Sequence, residues 1–381
     1  MEKAIDFLKT DETIVEHAIY RSRCEISKSN FGLIMIAAKD IRKTRARAPL
    51  RLGLAGGGTD LSPYCDQFGG AILNVTIGRY AFASILPRED GLVVFEADDI
   101  GERDVFEEGD PIDRGLVLHR GVYQRFISQF NDGVRIPVTI RTTVDAPAGS
   151  GLGSSSALVV ALVDGMRDVL EAPLGQYDVA HLAWEIERLD VGLSGGRQDQ
   201  YAAAFGGVNF IEFLSSDQVI VNPLRLSGAI YREFESSIVI CFSGLSRRSA
   251  AIIDRQTLGI LTASAATLGA LHQLKVDALA MKRALTVGDI DLMAEILGHS
   301  WTAKQATASG VSTDTIDRLF ETARAHGALA GKISGAGGGG FAFFLVHPEH
   351  RFRLIEALNA AGGQASPVQL TSVGSEVWRF R

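Results

Sequence analysis

The chain is poor in cysteine. Cys24, Cys65 and Cys241 are its only three, widely spaced and odd in number. That excludes a disulfide framework and points to reduced thiols. No block of lysine and arginine is present, and the formal net charge is −7. A nucleic-acid partner would need a basic footprint, so none is expected. Of the eight histidines only His347 and His350 stand close, around a proline in a predicted turn. That leaves little from which to build a histidine-ligated metal site. Long hydrophobic runs are missing too. The longest early one, "FGLIMIAA" at 31–38, is far too short to span a bilayer. The residues after it, "KDIRKTRAR", are not a small-residue cleavage site. The expectation is a soluble, cytoplasmic protein with no membrane partner.

What is present is 381 residues with 46% hydrophobic composition, enough for two domains with buried cores. Residues 1–45 are charged and carry a weak helical pattern (Ile5, Leu8, Ile14, His17, Ala18) but no motif. They read as an appended extension, and Met35 is an alternative start. From Arg47 the pattern turns to strands: "APLRLGLAG", "AILNVTIGRYAFASILPR", "GLVVFEADD" and "RIPVTIRTTV", with one helix near 116–130. Helices follow from "SSSALVVALVDGM" and "YDVAHLAWEIERLDVG", then a glycine loop, a short helix and the strand "VNFIEF". The second half predicts long helices at roughly 249–285, 289–305 and 314–326. A strand, a glycine loop and a strand come next, then a helix and two short strands. This mixed order is α+β, with a boundary near 225–235.

The stretch "PAGSGLGSSSA" at 147–157 carries chemistry. Successive backbone N–H groups without side chains can converge on one concavity, and the helix dipole adds positive potential there. Gly149, Gly151 and Gly153 clear the approach. Ser154, Ser155 and Ser156 can cap the helix, donate to phosphate oxygens or ligate Mg²⁺. No "GK[ST]" follows, so this is not the common phosphate loop. No acidic residue follows at the spacing of a dinucleotide fingerprint either. A tight strand–helix corner is the plain alternative.

Three segments together narrow this. "APLRLGLAGGGTD" at 48–60, "PAGSGLGSSSA" at 147–157 and "KISGAGGGGF" at 332–341 resemble, in order, the three motifs of the GHMP kinases. The resemblance covers about residues 46–381. It implies a two-domain GHMP kinase fold, with an N-terminal ribosomal-protein-like β/α domain over 46–230. A C-terminal ferredoxin-like α/β plait with extra helices would span 231–381. It implies ATP and Mg²⁺ as cofactors, with an ATP-phosphate site at Pro147, Gly149, Ser150, Gly151, Leu152, Gly153, Ser154, Ser155, Ser156, Gly335 and Gly337. It implies Mg²⁺ at Ser154 or Ser155 with Glu187, Glu185 being the competing carboxylate. "GGRQDQ" at 195–200 resembles the family's aspartate segment, so Asp199 becomes the catalytic residue. By position Asp199 falls in the first turn of a helix, where the dipole favours a negative charge, and a carboxylate can accept an attacking hydroxyl's proton.

The first motif, "GGRQDQYAAAFGGVNFIEF" and "FSGLSRRSAAIIDRQ" are similar to the sugar 1-kinases acting on D-glycero-D-manno-heptose 7-phosphate. The resemblance implies phosphorylation of the anomeric hydroxyl of a sugar phosphate, for lipopolysaccharide or capsule heptose. Expected substrate contacts are Arg51, Gly58, Thr59, Asp60, Gly196, Arg247 and Ser249. Arg248, Arg197 and Lys304 are alternatives for the substrate phosphate. Arg51 could face the pocket or a core salt bridge. Lys332 could approach the nucleotide or only begin a strand. A kinase for a neutral sugar such as fucose, or a non-catalytic sugar- and ATP-binding regulator, are the competing readings. The basic "SRRS" segment distinguishes the first, which would not need it, and the intact loop and aspartate argue against the second.

Overall fold

The computed structural model describes residues 42–215, 217–245 and 250–381. The N-terminal extension up to residue 41, with Cys24 and Met35, lies outside the described residues. So do Ser246, Arg247, Arg248 and Ser249.

Strand β1 (Thr44–Ala55) shows why the first motif sits where it does. Its first residues alternate between buried and exposed, as on a half-covered sheet; from Ala48 onward every residue is buried. Leu50, Leu52 and Leu54 then pack inward while Arg51 is buried among the other face's residues. A short helix α1 (Tyr64–Phe68) leads into the long strand β2 (Gly70–Pro87). β2 is the spine of the first sheet, pairing antiparallel with β1, with β5 (Val138–Val144) and with β6 (Val208–Phe213). The hairpin β3 (Val93–Ala97) and β4 (Glu102–Phe106) joins β5, with β3 parallel to it. β7 (Val219–Pro223) extends β6.

Helices cover this sheet: α2 (Val117–Phe130), α3 (Ser154–Val169), α4 (Gln176–Glu185) and α5 (Gln198–Phe205). α3 is buried nearly all round, with Val159, Val160, Ala161, Leu162, Val163 and Met166 inside, as its apolar sequence predicts. α4 does not stop at Glu185. It runs into a π-helical turn, Ile186–Asp190.

After α6 (Gly228–Ser236) the second sheet begins with β8 (Ile238–Phe242). Helices α7 (Ala250–Leu261), α8 (Ala265–Val287), α9 (Ile290–Ala306) and α10 (Asp314–Ala325) follow. The single helix expected over roughly 249–285 is therefore two. Ala263 takes a left-handed φ of 50° and Ser264 caps α8, accepting from the Thr267 N–H. A serine cap between apolar helices carries no glycine or proline, so the break is quiet in the sequence. β9 (Ala328–Ile333), β10 (Phe341–Val346), α11 (Arg351–Ala360) and β11 (Gln364–Pro367) complete the unit. The order β11–β8–β10–β9 is fully antiparallel, the arrangement of a ferredoxin-like plait. Strand β12 (Glu376–Arg379) returns to the first sheet and pairs with Thr44–Arg47 of β1.

The two sheets share one hydrophobic core. It runs from β1 and β2 through Ala278, Met281 and Leu285 of α8 to Ile240 and Phe343. A smaller cluster fills the outer face of the second sheet around Ile333, Phe344, Leu354 and Leu358. Among the described residues no helix is long and apolar enough to cross a membrane.

Candidate active site

The two glycine loops are built against each other. In the 147–153 loop, Gly151 has φ +78°, and a Cβ there would overlap the Ser334 carbonyl. Gly335 (φ +80°) faces it in return, where a Cβ would lie 2.9 Å from the Gly151 carbonyl, so neither glycine accepts a side chain without moving the other loop. The Phe341 N–H donates to the Ser150 carbonyl at 2.8 Å, and the Ser334 N–H to the Phe341 carbonyl at 2.8 Å. The 334–340 loop thus braces the phosphate-type loop from behind. A single cleft of about 450 Å³ opens beside them.

Arg51 is the hub of that cleft. Its side chain is 5% exposed. Its Nε donates to Asp199 Oδ1 at 2.7 Å, and its Nη1 to the Gly151 carbonyl at 2.7 Å and to Ser334 Oγ at 3.1 Å. The two alternatives for Arg51 merge: it is a buried ion-pair partner and it lines the cleft. One residue thereby ties the first motif to the second, to the third and to Asp199. Asp199 also abuts Gly153, so it stands where the glycine loop meets the N-terminus of α3.

Asp60, 2% exposed, organises the opposite wall. Its carboxylate accepts from the Gly58 N–H at 3.2 Å and from the Gln198 N–H at 3.1 Å, joining the 56–60 loop to the first turn of α5. A Cβ on Gly196 would overlap this carboxylate. Thr59 plays a different part from the expected sugar contact. Its fully buried hydroxyl lies 2.8 Å from the Gly56 carbonyl and 3.0 Å from that of Ala71, so it braces the loop.

Glu187 owes its position to the π-helical turn, a distortion common at functional sites. The extra residue per turn directs it inward, where it is fully buried. Its carboxylate accepts from Ser155 Oγ at 2.8 Å, Ser156 Oγ at 2.7 Å and Gln200 Nε2 at 2.7 Å, with Arg188 Nη1 at 3.3 Å. Glu185 instead pairs with Arg125 at 3.0 Å, away from the glycine loop.

Of the residues expected from sequence, the structure brings Arg51, Gly58, Asp60, Gly149, Gly151, Gly153, Ser154, Ser155, Gly196, Asp199 and Gly335 to the cleft. Ser150, Leu152 and Ser156 are buried behind it, and Glu187 is reached through Ser155. Pro147 accepts the Ser150 N–H within the loop. Gly337 packs on Val311. Arg197 turns away to Asp66 and Asp217 and lies over the Trp184 ring. Lys304 and Lys332 both reach the cleft. Sequence reasoning missed its apolar wall: Ala97, Ile100, Leu116, Val117, Val144 and Ala146, with His119. Burial holds the His119 imidazole down to about 4, hence neutral, facing Thr142 Oγ1 at 3.0 Å. Ordinary apolar residues on three elements leave no motif by which to find such a wall.

A glycine-loop cradle and an arginine–aspartate pair facing one cleft fit a small-molecule phosphotransferase. The comparisons make that specific. Residues 117–207 match the GHMP kinases N terminal domain and residues 281–364 the GHMP kinases C terminal domain. Over 342 residues the chain is 41% identical to D-glycero-alpha-D-manno-heptose 7-phosphate kinase of Campylobacter jejuni, covering 89% of this chain and 100% of that one. The chain belongs to the GHMP kinase family. A crystal structure of a D-glycero-D-manno-heptose 1-phosphate kinase from Bacteroides thetaiotaomicron superposes with a TM-score of 0.74 at 40% identity. It covers 89% of this chain and 99% of the other. The bifunctional fucokinase/GDP-fucose pyrophosphorylase of Arabidopsis thaliana is 26% identical over 80% of this chain, which spans 30% of that longer protein.

Proposed function

We propose that the chain is an ATP-dependent kinase that phosphorylates the anomeric hydroxyl of D-glycero-D-manno-heptose 7-phosphate, giving the 1,7-bisphosphate. The single observation that carries the reading is the Arg51–Asp199 pair. It places a carboxylate beside the N-terminus of α3, and 41% identity to a kinase of that name supports the substrate.

In this reading the adenine lies on the apolar wall around Leu116 and Val144, and the phosphates follow the 149–155 loop to the N-terminus of α3. Asp199 orients the sugar hydroxyl and accepts its proton. Arg51 holds Asp199 in place and offers positive charge to the transferring group. Asp60 and the Gly58 backbone meet sugar hydroxyls. Arg247 and Ser249, outside the described residues, are the sequence-based proposal for the substrate phosphate.

The residues also suit Mg²⁺. Ser155 and Glu187 form a hard oxygen donor set. No group of three or more acidic, histidine or cysteine side chains gathers among the described residues. The ion would thus be held by few protein oxygens plus substrate phosphates, as Mg²⁺ commonly is. Bound there, it would neutralise charge on the phosphate oxygens.

The test is ADP release with ATP and Mg²⁺ over a panel of heptose 7-phosphate, mannose 6-phosphate, fucose and free mannose. Turnover dominated by the heptose phosphate is expected. Preference for a neutral sugar would keep the family and Asp199 but reject the phosphorylated substrate.

A further inference from the structure

Two lysines in the cleft have no counter-charge bonded to them. Lys304 on α9 and Lys332 on β9 are each 3% exposed. The Lys304 ammonium donates to the Gly57 carbonyl at 3.1 Å and crowds Gly58. The Lys332 ammonium has no hydrogen bond and no salt bridge among the described residues, yet its side chain lines the cleft. Burying an ammonium without a partner is unfavourable, so such groups are kept where a ligand supplies the missing charge.

Among the described residues, the charged groups nearest them attract or repel them without bonding to them. Arg51 faces both lysines and is itself occupied by Asp199. Asp60 faces Lys304, but its oxygens receive the Gly58 and Gln198 N–H groups. Asp277 of α8 faces Lys332. Its own burial pushes it up toward the neutral form, its Oδ1 accepts from Gln273, and its Oδ2 has no partner. No carboxylate is hydrogen-bonded to either ammonium among the described residues, so both stay open to a ligand entering from the cleft.

Position assigns that charge to one substrate. Lys332 stands next to the end of β9, Ser334 follows just past that end, and Ser334 Oγ accepts from Arg51. Lys304 reaches the 56–60 loop. Gly153 and the N-terminus of α3 lie next to Asp199. The lysines thus extend from Arg51 toward the 56–60 loop, while the nucleotide loop continues past Asp199.

We propose that Lys304 and Lys332 together seat the phosphate that the sugar substrate already carries, and so select a phosphorylated sugar. The proposal rests on the sugar-phosphate kinase reading above.

The lysines' own acid–base state supplies a second readout. Burial, then for Lys332 the neighbouring cations, lowers Lys304 to about 8 and Lys332 to about 7. At pH 8 the empty site is partly neutral. A phosphate dianion favours the charged forms, so its binding takes up protons.

The experiment compares kcat/KM for heptose 7-phosphate and for the same heptose without phosphate, in wild type, Lys304→Met, Lys332→Met and Arg247→Ala. Methionine keeps the buried stem, and KM for ATP with the melting temperature checks each variant's fold. The preference for the phosphorylated sugar is expected to fall about 10- to 100-fold in each lysine variant, the range of one charge-assisted hydrogen bond. Calorimetry at pH 8, in buffers of different ionisation enthalpy and with a non-hydrolysable ATP analogue present, should show proton uptake with heptose 7-phosphate. Lys332→Met should lose part of it. An unchanged preference in both lysine variants overturns the proposal, as does a fall confined to Arg247→Ala, and in either case the sugar-phosphate reading stands. Equal loss of kcat on both sugars also overturns it, and gives the lysines to the transferred group. Wild type that ignores every sugar phosphate fails the underlying reading, and the proposal with it.

Discussion

Asp199 and Arg51 are a pair whose halves separate in their effects. Asp199→Asn keeps an oxygen that can accept from Arg51, and Arg51 keeps the Gly151 carbonyl and Ser334 Oγ. The fold should survive with little change in melting temperature. Loss of the proton acceptor is expected to lower kcat by about 10²- to 10⁴-fold, with KM for ATP much less affected. Steady-state kinetics beside a thermal melt checks both. Lys332 makes a stability prediction of its own. Its folded pKa, about 7, lies below the ordinary lysine value of 10.5. Between those values the unfolded chain binds more protons, so this group's contribution to stability rises with pH through that window. The melting temperature of wild type should therefore climb more from pH 7 to 9 than that of Lys332→Met, which lacks this dependence. The glycines, Asp199 and Asp60 were legible as sequence because each stands in a spaced motif. Their partnerships were not. Nothing along the chain links Arg51 to Asp199, 148 positions later, and Thr59 reads as a sugar contact until its hydroxyl is seen spent on the backbone.

Among the elements, strands and helices with a strong period were readable, including the buried α3 and the strand–loop–strand of β9 and β10. Two local departures were not. The turn that aims Glu187 inward is one residue of extra winding, with no signature in "WEIERLD". Ser264 ends one helix and starts the next with a single side-chain bond. The apolar wall of the cleft draws on β3, α2 and β5, so it exists only after pairing. The paired loops yield a sharper prediction. Gly151→Ala combines a strained backbone with an overlap on Ser334. It should displace both loops, raising KM for ATP at least 10-fold and lowering the melting temperature, since strain of this kind costs about 1–3 kcal/mol. An unchanged KM would mean that the cradle does not set nucleotide affinity.

For the whole molecule, the cleft belongs to both sheets at once. Arg51 and Asp199 come from the first part of the chain, Lys304, Lys332 and Gly335 from the second. A helix-rich second half and a strand-rich first half were visible in the sequence, but the shared core through α8 was not, because apolar positions do not name their partners. Strand β12 adds a constraint of a different kind. Arg47 meets Glu376 at 2.7 Å, Arg379 meets Asp168 at 2.9 Å, and the Phe380 N–H donates to the Lys43 carbonyl at 3.1 Å. Removing residues 376–381 should lower the melting temperature and promote association through the bared β1 edge, measurable by light scattering. On the ribosome, β1 can pair with β2 once both have emerged, but its partner on the other side comes only with residues 376–379. Its outer edge stays unzipped until residues 376–379 leave the exit tunnel, so a nascent chain stalled short of them would leave that side of the sheet unsealed.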